Sequence, residues 1–200
     1  MEDLNILRDK AYNIAIEHGW HDKEYSNEHC LCLVISELAE AVEADRKGFR
    51  AEKDKFSREF EYVVTAQRLC GGGYDRAFIS NFDRYIKDTV EDELADACIR
   101  LFDLAGLRKI NLSGINFPIA CGQEHLENRR KMTFTEWSYD VIQVIARFDK
   151  NHYPIGYLII GILQEICCKA KMMGFDILWH VEEKMKYNVL RPYMHGDKAY

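Results

Sequence analysis

Apolar residues recur every three or four positions along most of this 200-residue chain. No stretch shows the strict alternation of apolar and polar residues that marks a half-buried strand. That pattern restricts the chain to helices packed on helices. The breakers fall between the periodic stretches. Asp3 to His18 carries Leu4, Leu7, Ala11, Ile14 and Ala15, and Gly19 ends it. Ser26 or Asn27 caps a long helix to about Lys47, stopped by Gly48. A third stretch covers about Ala51 to Leu69, and Gly71, Gly72 and Gly73 break it. A helix is expected from about Asp83 to Arg108; Asp88 with Glu91, or Thr89 with Asp92, would cap it if it starts later. After a loop rich in glycine and asparagine beyond residue 112, Thr133 and Glu136 form a capping-box pattern that opens a helix to about Lys150. Further helices cover about Ile155 to Met173, stopped by Gly174, and about Asp176 to Val189, followed by Pro192. The expected fold class is all-α.

A single domain of this length buries roughly 70% of its unfolded-chain surface. With 48% hydrophobic and 30% mixed charged residues the chain is not a disordered one. No apolar run approaches the roughly 20 residues of a membrane span. The acidic N-terminus lacks the plan of a secretory signal. A net charge of −6 argues against a nucleic-acid coat. The expectation is a soluble cytoplasmic protein with no membrane or nucleic-acid partner. The seven cysteines (Cys30, Cys32, Cys70, Cys98, Cys121, Cys167 and Cys168) are odd in number and contain no CxxC. They read as buried reduced thiols.

Two acidic pairs stand out. Glu37 and Glu40 lie three apart in a stretch made apolar by Leu31, Leu33, Val34, Leu38 and Val42. Glu93 and Asp96 lie three apart among Leu94, Ala95, Ala97, Cys98, Leu101 and Phe102. Residues three apart share a helix face, and helices so apolar are largely buried. Four carboxylates in such a setting need compensation. Divalent cations supply it, and Mg²⁺ prefers oxygen ligands. The alternative is an exposed acidic face balanced by cations such as Arg46 and Arg100. No ExxH pair suggests a di-iron site, and neither GxxxxGK[ST], GxSxG nor HExxH occurs.

The run Ser-Glu-Leu-Ala-Glu-Ala-Val-Glu-Ala-Asp-Arg-Lys-Gly (36–48), the run Glu-Asp-Glu-Leu-Ala-Asp-Ala-Cys-Ile-Arg-Leu-Phe-Asp-Leu-Ala-Gly (91–106) and the ending Glu-Lys-Met-Lys-Tyr-Asn-Val-Leu-Arg-Pro-Tyr-Met-His-Gly-Asp-Lys (183–198) occur in that order. Together they resemble the MazG-like branch of the all-α NTP pyrophosphatases, which carry ExxE on one helix and ExxD on another. The resemblance implies a helical bundle of that type. It also implies a nucleotide pyrophosphohydrolase that splits an NTP or dNTP into the monophosphate and pyrophosphate. Glu37, Glu40, Glu93 and Asp96 would hold Mg²⁺, with Mn²⁺ as a substitute. The metal would neutralise the triphosphate and activate a water that attacks phosphorus, with Glu40 as a candidate general base. Lys184, Asn188, Arg191, His195 and Lys198 would meet the phosphates, since lysine and arginine donate charge-assisted hydrogen bonds to them. The resemblance favours a homodimer. Competing readings are a helical metal-binding or interaction module without turnover, and a hydrolase of another nucleotide phosphoanhydride.

This chain departs from the family in length. Some 60 to 70 residues separate Leu112 from Asp176, where the family runs almost directly into its final helix. A faint repeat places Asp140 and Gln143 at the positions of Glu37 and Glu40. The expected organisation is therefore a MazG-like unit over 1–112 that carries both acidic motifs. A degenerate second helical unit and the basic tail follow over 113–200, packed with the first as one body. The long segment from Phe49 to Asp88 could add substrate contacts. For the base, Trp20 is a stacking candidate, while Trp137 reads as core.

Overall fold

The computed structural model describes residues 3–70, 73–113 and 123–194. All regular structure among them is helical: α1 (Leu4–Glu17), α2 (Asn27–Lys47), α3 (Lys53–Cys70), α4 (Tyr74–Tyr85), α5 (Val90–Leu107), α6 (Gln123–Arg130), α7 (Phe134–Ala146), α8 (Ile155–Met173) and α9 (Ile177–Val189). The all-α expectation holds. None of these helices is long and apolar enough to cross a membrane.

The ends follow local chemistry. Ser26 Oγ accepts from the His29 amide at the start of α2, and Gly48 closes that helix at φ 72°. Gly174 closes α8 at φ 86°. Both are left-handed positions where a Cβ is strained. Asp176 caps α9 by accepting from the Leu178 and Trp179 amides. Thr133 and Glu136 form the full capping box of α7. Thr133→Ala removes it and is expected to cost about 1 kcal/mol, a fall of about 2–4 °C in the thermal midpoint, read by circular dichroism.

Three expectations are corrected. The helix expected over Asp83–Arg108 is two helices. Asp88 takes a positive φ of 59°, which no α-helix continues through, and α5 starts only after Thr89, whose Oγ1 accepts from the Asp92 amide, the later start and Thr89–Asp92 cap expected as the alternative. The helix expected to run to Lys150 ends at Ala146. The cysteines are not uniformly buried thiols: Cys98 and Cys167 are buried and free, Cys32 is exposed, and Cys168 is disulfide-bonded. Cys121 lies outside the described residues.

Helix α5 is the axis of the molecule, touching α1, α2, α8 and α9. Leu94, Ala95, Ala97, Leu101, Phe102 and Ala105 on it are almost wholly buried. Burying each large apolar side chain contributes roughly 1.5–3 kcal/mol. Its small residues let neighbours come close: a Cβ on Gly106 would sit 2.5 Å from Cβ of Tyr12 on α1. The same apolar core continues through Trp137, Ile159, Leu163, Ile166 and Val181, with Trp137 fully buried as expected. A second, aromatic cluster of Phe56, Phe78, Phe82 and Tyr85 fastens α3 and α4 to α9, where Phe82 stacks on Tyr187 at 4.5 Å. That attachment fixes the turn between α4 and α5, at whose end the acidic residues begin.

Candidate active site

Helices α1, α2, α5 and α9 enclose a cavity of about 670 Å³. Glu37, Glu40, Glu93, Asp96, Lys184, Asn188, Arg191 and Trp20 all line it. His195 and Lys198 lie outside the described residues. The helix spacing explains the convergence. On α5, Glu93, Asp96, Arg100 and Asp103 follow at intervals of three, four and three, so one face presents them in a row. On α9, Lys184 and Asn188, four apart, do the same, and Arg191 follows just past the end of that helix.

One oxygen each from Glu37, Glu93 and Asp96 can be chosen so that all lie within 4.8 Å of one another. Glu37 and Glu93 are buried, so the reading of an exposed, solvated acidic face does not describe them. Glu40 is exposed and stands at the rim, outside that trio. Asp88, Asp92 and Glu93 form a second group of the same kind that shares Glu93. Sequence reasoning did not assign Asp92 or Asp88 to the site. The available signal was the burial expected all round α5, which obliges every carboxylate on it to find a counter-charge.

Two cations meet these acids. Arg100 Nε donates to Glu37 at 3.0 Å. Lys184 Nζ reaches Asp92 at 2.7 Å and Asp96 at 2.8 Å, with only 5% of the lysine exposed. Burial alone would lower the Lys184 ammonium, but Asp96 and Asp92 outweigh it and hold it above its ordinary range. The acids are under-compensated. Burial, with Asp92 and Asp96 adding repulsion, pushes Glu93 up to about 9. Burial and Asp96 push Glu37 up to about 7 against the pull of Arg100. Burial raises Asp92 to about 6 despite Lys184. Asp92 Oδ1 is buried with no hydrogen-bond partner, while Oδ2 accepts from Lys184 and from the Asp88 amide. Asn188 Oδ1 is likewise buried and without a partner.

This donor set, all carboxylate oxygen and poor in counter-charge, fits a hard divalent cation such as Mg²⁺ or Mn²⁺. Glu91, next in sequence, does other work: its Oε2 accepts from the Ala51 amide and ties the α2–α3 connection to α5. The segment before α5 borders the cavity through Lys87 and Asp88. Away from it, Asp140 pairs with Arg129 at 2.7 Å, so at this position of the faint repeat the acid holds an arginine. Comparison with protein-family models, curated proteins and solved structures finds no match for this chain.

Proposed function

We propose that the protein is a divalent-metal-dependent nucleotide pyrophosphohydrolase of MazG-like type, converting an NTP or dNTP and water into the monophosphate and pyrophosphate. The observation that carries this reading is the trio of buried Glu37 and Glu93 with half-buried Asp96, beside Lys184 in a cavity large enough for a nucleotide. Glu37, Glu93 and Asp96 would hold the cation, with Asp92 in reserve. Mg²⁺, when bound, supplies charge neutralisation and Lewis acidity for attack on phosphorus.

The chain's own groups do the rest. Glu40, at the solvent-exposed rim, takes the proton of the attacking water as the α–β phosphoanhydride bond breaks. Lys184 keeps its charge at the floor and offers a cation to the departing pyrophosphate. Arg191 adds a second cation on the same wall. Arg100 holds Glu37 in place.

The test incubates the protein with Mg²⁺ and a panel of ribo- and deoxyribonucleoside triphosphates. The expected products are monophosphate and pyrophosphate. Chelation should abolish them, and Glu37→Gln should lower kcat/KM by about 10²-fold or more. Orthophosphate release would assign a different phosphoanhydride to the site. Mg²⁺ binding without any turnover would make it a metal-binding module.

A further inference from the structure

The cavity has two chemically different ends. Glu93 and Asp96 mark one. Asp103 lies on the same face of α5, seven residues beyond Asp96, and so roughly 10 Å further along the helix axis. The neighbours at that level follow from pairings between helices. Arg100 bonds Glu37 and Arg108 bonds Asn27, so α2 runs antiparallel to α5 and brings Leu33 abreast of Asp103. Tyr12 packs on Gly106 and Arg8 donates to the Ile110 carbonyl, so α1 is antiparallel too and brings Ala15 to that level. Ile14, Ala15, Leu33, Ile99 and Trp20 line the cavity there.

Within this end, apolar apart from Arg100 one turn before it, sits a carboxylate. His21 Nε2 lies 2.6 Å from Asp103 Oδ1, and since a carboxylate only accepts, Nε2 carries the proton. That bond orients Asp103 from behind, and the His21 ring is itself set against Tyr12 at 5.0 Å between centroids. The arrangement fixes an acceptor in an apolar slot. The separation between this acceptor and the acidic trio is one that a sugar and base can bridge.

We infer that the Asp103 end of the cavity takes the nucleobase and selects bases that present an exocyclic amino group, with Asp103 accepting from it. This rests on the nucleotide reading of the acidic end. A base with a carbonyl at that position would set two acceptors against each other, leaving both unpaired in an apolar slot. Acidic side chains read the cytosine amino group in the same sense.

Two substrate pairs test the amino group: CTP against UTP, and ATP against ITP. Within each pair amino is exchanged for carbonyl at one position, and the ring nitrogen beside it changes from acceptor to N–H donor. Both kcat/KM with Mg²⁺ and competitive binding with Ca²⁺ in place of Mg²⁺ are measured. The amino member of at least one pair should be favoured roughly ten- to hundred-fold. Asp103→Asn, which keeps an acceptor for His21 and adds a donor, should reduce that ratio to within about three-fold of unity. A thermal melt confirms that the variant folds. Equal or better use of the carbonyl members in both pairs overturns the inference, as does a ratio unmoved by Asp103→Asn. Hydrolysis without base preference would sink this inference and leave the pyrophosphohydrolase reading standing. Amino-selective binding without hydrolysis would do the reverse.

Discussion

Lys184→Met is expected to lower the thermal midpoint by about 6–20 °C, the consequence of removing one partner from a buried ion pair at about 3–5 kcal/mol. The lysine is the one cation within reach of Asp92 among the ion pairs of the described residues, and Asp92 is 1% exposed. Methionine fills the volume but leaves Asp92 and Asp96 without their common counter-charge. Water cannot screen a carboxylate so deeply placed, so the loss should persist at high salt. Asp92→Asn in the Lys184→Met background should recover a substantial part of it, because an amide carries no charge to strand. Circular dichroism melts of the three proteins in chelator measure both effects. A fall of under about 2 °C for the single variant would mean that the acids, and not Lys184, adjust by taking up a proton, and the ion pair would lose its structural role.

Lys184 also marks the boundary between what sequence can and cannot convey. Its membership of the site was legible: with Asn188 it falls on one face of a helix whose start at Asp176 and end before Pro192 are punctuated in the sequence, and Arg191 follows directly on that end. The acidic pairs were legible in direction for the same reason, since three-residue spacing puts both members on one face; burial was legible only for Glu37 and Glu93, while Asp96 is half-buried and Glu40 exposed. The partner of Lys184 was not legible. Asp92 lies 92 residues away, and no local pattern prefers it to Glu91 or Glu93; Glu91 turns instead to the Ala51 amide. Asp88 shows the limit for backbone. Phe78, Phe82, Tyr85 and Ile86 keep up helical spacing to within two residues of it, so nothing in the periodicity announces a break. The turn is made by an aspartate in the left-handed region, where glycine would have been a visible signal. The cysteine at 168 failed for a related reason: pairing between thiols is decided by the tertiary fold, and an odd count without CxxC does not reveal it.

The second large effect concerns Glu93, where stability and function are expected to oppose each other. Glu93 is pushed up to about 9 from an ordinary value of 4.5, with burial the main cause and Asp92 and Asp96 adding to it. Between those two values the folded chain holds a proton that the unfolded chain releases. Unfolding is therefore progressively favoured as pH rises. The contribution of Glu93 to stability is fully present below about pH 4.5 and is lost as pH climbs through 9. Glu37, raised to about 7, acts in the same direction over the lower part of that window. In chelator, the thermal midpoint should decline from pH 5 to pH 9, beyond any decline in the Glu93→Gln variant. At pH 8 the variant should melt about 2–8 °C higher than the parent protein, the gain typical of relieving a strained functional charge. Mg²⁺ should reverse the slope in the parent, because a cation takes the place of the protons and binds more tightly as they leave. The variant should show little response to Mg²⁺ and should lose hydrolysis by about 10²-fold or more. If the parent's midpoint is flat with pH and Mg²⁺ leaves it unmoved, the crowded carboxylates are neutralised by the chain itself, and the metal-dependent reading of the cavity fails with them. If Glu93→Gln is stabilising, insensitive to Mg²⁺ and inactive together, one residue accounts for all three, because the same crowding that costs the folded chain stability is what makes the site bind a cation.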